Sequence, residues 1–193
     1  PQKYFQDAQV LEKAFNSPED EDLKDRYAFY TAQSYRDADM PEKAIEWYAK
    51  RANLGGWYEE VYYSLLQIAL LKIELNASLN EIQNLLLATY EYRPQRAESL
   101  YHLARQLRYH NKARLAYIYA TVAANIPLSK DILFVDHAVY EWKAKEELAM
   151  SANSVGNYQL CHDLCIELLF NPAVPEPNRK LLLDNLKLAK EHL

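Results

Sequence analysis

The chain has little of what tight turns, disulfide frameworks and membrane spans require. Its 193 residues include only 3 glycines. So few glycines argue against tight-turned β architecture and against the loops that cradle phosphate. There are 2 cysteines, Cys161 and Cys165. Four residues apart, they share one helix face, a spacing that fits neighbouring core positions and a reducing compartment such as the cytoplasm, not a disulfide framework. No apolar run approaches the roughly 18 residues a membrane span needs. No basic-then-apolar leader precedes the first helix. Positive charge is also short: the formal net charge is −5, which speaks against nucleic acid as a partner. The sequence starts at Pro1 without Met, so a piece of a longer protein is expected.

What is present is apolar and aromatic. Half the residues are hydrophobic and 16 are tyrosines, a composition for packed helices whose ring hydroxyls reach the rim. Three segments share one cadence: YAFYTAQSYRDADMPEKAIEWYAKR (27–51), AESLYHLARQLRYHNKARLAYIYATVA (97–123) and KEELAMSANSVGNYQLCHDLCIEL (145–168). With Ala32, Ala104 and Ala149 aligned, Ala44, Ala116 and Cys161 fall at small positions 12 residues on. Tyr48, Ala120 and Cys165 follow four later. Ala69 supplies a fourth register point, so the intervals are 37, 35 and 45 residues. A unit of two apolar helices around a short polar turn, recurring at about 34 residues, is the pattern of a tetratricopeptide-type repeat. The expected fold is all-α: a tetratricopeptide-like solenoid of antiparallel helix pairs in a right-handed superhelix, as one domain over 1–193.

The punctuation places the units at about 23–56, 57–94, 97–127 and 136–170. An amphipathic lead-in helix over 3–15 precedes them and a capping helix over 178–192 follows. Pro41 opens a helix, Gly55–Gly56 close it, and Pro94 and Pro127 act as stops. The second unit fits only with a one-residue insertion at its turn. The segment LSKDILFVDHAVYEW makes the last interval about ten residues too long for the repeat.

Clusters with catalytic or metal-binding overtones are weak. Glu19–Asp22 is an acidic run at a helix start, where the macrodipole favours carboxylates, so it reads as a cap and not as a metal site. His162 points off the Cys161/Cys165 face and lacks the second ligand pair of a zinc site. Asp136–His137 near Tyr140 has no accompanying nucleophile and reads as a structural hydrogen bond. Arg93 and Arg96 flank Pro94 and are expected to pin helix ends. No catalytic, cofactor or metal residue is assigned.

Stacked helix pairs bind through the concave side lined by their first helices. The positions three before and one after the small alanine are Phe29 and Gln33, Leu66 and Leu70, Tyr101 and Arg105, with Glu146 and Met150 in the last unit. One turn further lie Arg36 and Arg108. Phe29, Gln33, Arg36, Leu66, Leu70, Tyr101, Arg105 and Arg108 form the expected partner-binding groove, whose arginines suit carboxylate or phosphate capture. The alternative is that these arginines salt-bridge to Asp37, Glu98 or other neighbours.

Five strings are more specific than the repeat demands: FYTAQSYRDA (29–38), EKAIEWYAKR (42–51), GGWYEEVYYSLLQIA (55–69), YEYRPQRAESLYHLAR (90–105) and LFVDHAVYEWKAKEELA (133–149). They resemble the helical region that follows the catalytic domain in a group of family 2 glycosyltransferases. The resemblance covers nearly the whole chain. It implies a parent enzyme that transfers sugar from a nucleotide-sugar donor. The family's nucleotide-binding α/β domain and its metal-binding acidic motif are not in this sequence. The expectation is therefore a non-catalytic scaffold domain, whose partner is a protein or the adjoining transferase domain, with homodimerisation through uncapped ends also open. A free-standing peptide-binding adaptor is the rival expectation, and a sugar or nucleotide pocket within this segment is another.

Overall fold

The computed structural model describes residues 2–193, except for the side chains of residues 18–20. Pro1, and the side chains of Glu19 and Asp20 in the acidic run, lie outside the described residues. Within that run Glu21 pairs with Lys24 at 2.7 Å, as a solvated helix start does. The described residues hold ten α-helices and no strand. They are α1 (Gln2–Phe15), α2 (Lys24–Asp37), α3 (Pro41–Leu54), α4 (Tyr58–Glu74), α5 (Leu79–Tyr92), α6 (Glu98–Tyr109), α7 (Ala113–Asn125), α8 (Ala144–Ser154), α9 (Tyr158–Leu169) and α10 (Glu176–Lys190). A π-helical turn, Val139–Lys143, leads into α8.

One turn geometry recurs four times, and it lies seven residues after each register alanine. Asp39, Asn76, Asn111 and Gly156 all take positive φ, between 54° and 81°. Each is followed by a residue whose N–H reaches back five positions to a helix carbonyl. The bonds are Met40 to Tyr35 at 3.0 Å, Ala77 to Lys72 at 2.9 Å, Lys112 to Leu107 at 2.8 Å and Asn157 to Ala152 at 2.9 Å. This is the Schellman ending, which satisfies carbonyls left over at a helix C-terminus. Asp, Asn and Gly occupy it because they enter the left-handed region at least cost. The next helix opens two residues later in three repeats. In the second repeat α5 opens three residues after Asn76, and Ser78 caps it by accepting from the Glu81 N–H at 3.2 Å. The turn is one residue longer there.

The small residues meet where helices cross. Ala32, Ala69, Ala104 and Ala149, and their partners Ala44, Ala116, Cys161, Ala120 and Cys165, have no exposed surface at all. A larger side chain at such a crossing would force the backbones apart.

The chain divides into two compact units. The first takes residues up to Leu85 together with Asp131–Phe134; the second takes Leu86–Lys130 and Val135–Leu193. In the first, α1 packs on α2, α2 on α3 and α3 on α4. Its core joins Phe29, Ala32 and Tyr35 of α2 to Ala44, Trp47 and Tyr48 of α3, with Ile68 and Leu71 of α4. In the second, α6 through α10 pack in sequence, and Leu182 and Ala189 of α10 close the core built by α8 and α9.

Among the described residues, each unit holds a buried ion pair. In the first, Arg51 Nε donates to Glu60 at 2.7 Å, and its Nη1 donates to the Gly55 carbonyl that ends α3. In the second, Arg96 donates to Glu98 at 2.7 Å. Tyr140 donates to the same carboxylate at 2.8 Å and accepts from the Ala97 N–H at 3.1 Å. Arg96 thus fixes the start of α6 through Glu98, and Tyr140 serves that junction. Asp136 accepts from Lys143 at 2.7 Å and from the Ala138 N–H, so it anchors the approach to the π-helical turn. Cys161 and Cys165 are free thiols, fully buried, with sulfurs 4.0 Å apart. His162 instead faces Asp163 at 2.9 Å. Among the described residues no three His, Cys, Asp or Glu side chains are placed to hold a metal ion. None of their helices is long and apolar enough to cross a membrane.

Candidate functional site

The eight expected groove residues fall into two different settings. In the first unit the register places Phe29 and Leu66 on an open face, but both are buried, at 2% and 5% exposure. This corrects the sequence expectation. At Phe29 the reason is that further aromatic rings cover it. The Phe29 ring lies 5.9 Å from Tyr63, 6.4 Å from Tyr48 and 6.4 Å from Phe134. Gln33 and Leu70 are half-buried, and the Gln33 amide nitrogen is enclosed without a hydrogen-bond partner. Arg36 turns its guanidinium onto tyrosine hydroxyls. Nη1 donates to Tyr63 at 2.9 Å and, at 3.4 Å, to Tyr48 and to Gln67, while Nε and Nη2 grip Asp37 at 3.0 and 2.9 Å. Every nitrogen of Arg36 is occupied.

In the second unit the residues do line a cavity. Tyr101, Arg105 and Arg108 of α6 face Glu146, Glu147 and Met150 of α8 and Asn178 of α10 around a cleft of about 320 Å³. Arg108 grips Glu147 with two bonds, 2.7 and 2.9 Å. That fork-on-fork pair is the strong form of a charge-assisted hydrogen bond. Arg105 donates from its Nε to the Tyr109 hydroxyl at 3.2 Å. Its two terminal nitrogens meet no carboxylate among the described residues. One Glu146 oxygen accepts from Asn178 at 2.7 Å. The cleft thus offers a donor fork without an acid of its own, beside a carboxylate held in place on one side only.

The electrostatics follow from this packing. Burial holds the Glu146 carboxyl above its ordinary pKa, against the pull of Asn178, Arg105 and Arg108. Burial likewise raises the Tyr101 hydroxyl. His102, on the same wall, is pushed down to about 4 by burial and by the nearby Arg105, so it is neutral at pH 7.

Sequence reasoning missed Tyr63 and Glu59 in the first unit, and Tyr109, Trp142, Lys143 and Asn178 in the second. Tyr109 stands four residues after Arg105, one turn along the same face, so helical spacing alone could have found it. Tyr63 and Lys143 are equivalent to one another, six residues before the register alanines Ala69 and Ala149, and extending the register by one turn would have reached both. Asn178 comes from the capping helix, outside the repeat, and had no such signal.

No family model and no curated protein matches the sequence. Among solved structures the fold is similar to nearly identical tetratricopeptide-like repeats of a Podosopora anserina protein described as a kinesin light chain. The TM-score is 0.58 at 16% identity, over 86% of this chain and 85% of that one. A single-residue variant of those repeats gives 0.60 at 15% identity over the same shares. At such identities the likeness is one of fold. With the recurrent turns and buried small residues, it shows that this chain has a tetratricopeptide-like helical-repeat fold.

Proposed function

We propose that the chain is a non-catalytic interaction module in which the α6–α8–α10 cleft receives a partner protein. The observation that carries this reading is Arg105, which lines the cleft beside tyrosine hydroxyls and without a salt bridge among the described residues, while its neighbouring cations are committed to acidic side chains. Arg108 holds Glu147 and Lys143 holds Asp136. A fork of this kind is suited to a carboxylate of an incoming chain. An extended concave surface is also how stacked helix pairs are generally used.

The parent protein, on this reading, is a glycosyltransferase that moves sugar from a nucleotide-sugar donor. Its catalytic domain precedes this segment, and it works in the cytoplasm. The support is the resemblance of the strings at 29–38, 42–51, 55–69, 90–105 and 133–149 to the helical region of family 2 glycosyltransferases. A free-standing adaptor would use the same cleft and need no catalytic neighbour.

Two measurements test these readings separately. Pull-down from the source cell with the wild-type chain and with Arg105→Ala tests the module: a partner retained equally by both removes the cleft from the interaction. Nucleotide-sugar hydrolysis by the protein extended upstream of residue 1, against this segment alone, tests the parent. Turnover by the extended protein only is the expected result, and the lack of an upstream catalytic domain selects the adaptor.

A further inference from the structure

The segment that makes the last repeat interval too long has a destination. The chain contributes Asp131–Phe134 to the first unit, although the residues on either side belong to the second. There the Oε2 atom of Glu59 accepts two successive backbone N–H groups, from Ile132 at 2.8 Å and Leu133 at 2.7 Å. Glu59 lies in the first turn of α4 and is only 5% exposed. Leu133 packs against the core of α2, α3 and α4. One residue on, the Phe134 ring sits 4.7 Å from Tyr63 and stacks on Phe29 at 6.4 Å with 22° between planes.

This arrangement engages main chain, the packed Leu133 side chain and one ring. A buried carboxylate is costly unless hydrogen-bonded, and here its donors are the amides of a passing segment. Two successive N–H groups on one acceptor are available from any peptide of suitable backbone geometry. The flanking rings then read an aromatic side chain one residue later. Part of the occupant stays open to solvent: Ile132 is 82% exposed and Phe134 52%. Phe134 also sits at φ +46°, a left-handed conformation disfavoured for a bulky side chain. A segment so exposed and so strained is suited to exchange.

We infer that Glu59, Phe29 and Tyr63 form a second peptide-recognition surface, which residues 131–134 occupy in cis. Its partner is a protein segment of the same chemistry: locally non-helical, with two consecutive free N–H groups and an aromatic residue directly after them. The inference is independent of the α6–α8–α10 cleft and of the transferase parent.

The test uses the intact chain and a fluorescent peptide of residues 128–137 as the probe. Two variants weaken the hold of the resident segment: Phe134→Ala, which removes its ring, and a chain with residues 131–134 replaced by Gly and Ser, which also removes the Leu133 side chain. Circular dichroism establishes that each keeps its helices. Phe134 is half-exposed, so its truncation is the gentler change and keeps the test valid where the replacement fails to fold. An occupied site weakens apparent affinity by the fraction of molecules that are open, so the variants should bind the peptide roughly tenfold or more tightly than the wild type. Glu59→Ala in the Phe134→Ala background should abolish binding, as should replacing the peptide's own phenylalanine with alanine. A folded Phe134→Ala chain that binds no peptide overturns the inference, and so does equal binding by wild type and variant.

Discussion

The two units answer the same register positions with opposite chemistry. Arg36 and Arg108 each stand four residues after a register alanine, on α2 and α6. Their contacts, Gln67 and Glu147, each stand two before one, on α4 and α8. In the first unit the contact is a 3.4 Å bond to a neutral amide, helped by Tyr63 and Tyr48. In the second it is a bidentate ion pair at 2.7 and 2.9 Å. Phe29 is equivalent to Tyr101, and Gln33 to Arg105. One set closes over a ring cluster and accepts a segment of the chain itself; the other stays open around a guanidinium. A repeat scaffold fixes where side chains converge and leaves their identity to decide whether the place becomes core or site.

The comparison breaks most readily at the buried ion pairs, which both units share. Removing Glu98 or Glu60 leaves Arg96 or Arg51 enclosed with a lost partner, and each loss should cost about 3–5 kcal/mol of stability. Chemical unfolding of Glu98→Ala and Glu60→Ala checks this, and markedly unequal losses would show that the two pairs are not counterparts. Next comes the register pair. Arg108→Ala strands Glu147, which is 4% exposed, and should cost about 3 kcal/mol. Arg36→Ala strands neutral hydroxyls and an amide, and releases only the solvent-exposed Asp37 carboxylate, so it should cost about 1 kcal/mol. Equal costs would erase the distinction between the units.

A smaller effect is tied to pH. His102 occupies the place that exposed Tyr30 holds in the first unit. With its folded pKa near 4 against an ordinary value of about 6.5, the unfolded chain binds more protons between those values. Stability contributed by the neutral ring is present above pH 6.5 and lost on acidification toward 4, by up to roughly 3 kcal/mol. His102→Gln should flatten that limb, with hydrogen exchange locating the change in the second unit. An unchanged acid limb would place His102 in an ordinary environment. Smallest of all, Arg105→Gln installs the first unit's residue in the second and should shift stability by no more than about 0.5 kcal/mol. A larger loss would mean that Arg105 holds the fold, and would remove it as a group available to a partner.

How much of this was legible in the sequence depended on the range of the interaction. The small residues, the stops and the one-residue insertion near Asn76 are local signals, each set by backbone sterics within a few positions. The register also brought Tyr101, Arg105 and Arg108 to one wall. It could not say that Phe29 and Leu66 are buried, because the rings that cover Phe29 come from Tyr63 and from Phe134, over a hundred residues away. Glu59 sits in a first helical turn, where a carboxylate is at home without any distant donor. Its real donors lie 73 and 74 residues on, beyond any periodicity. Arg108 and Glu147 are 39 apart, and only the correct alignment of Ala104 with Ala149 makes them neighbours.

The placement of residues 131–134 also has a consequence in time. The first stretch of that unit is complete in the nascent chain at Leu85, yet the segment that meets Glu59 is made 46 to 49 residues later. At about 5–20 residues per second, that is an interval of roughly 2–10 s. During it the Glu59 carboxylate and the Phe29–Tyr63 rings have no covering chain of their own. The surface is therefore most receptive at birth, and a partner or chaperone acting during synthesis meets it before its own segment does.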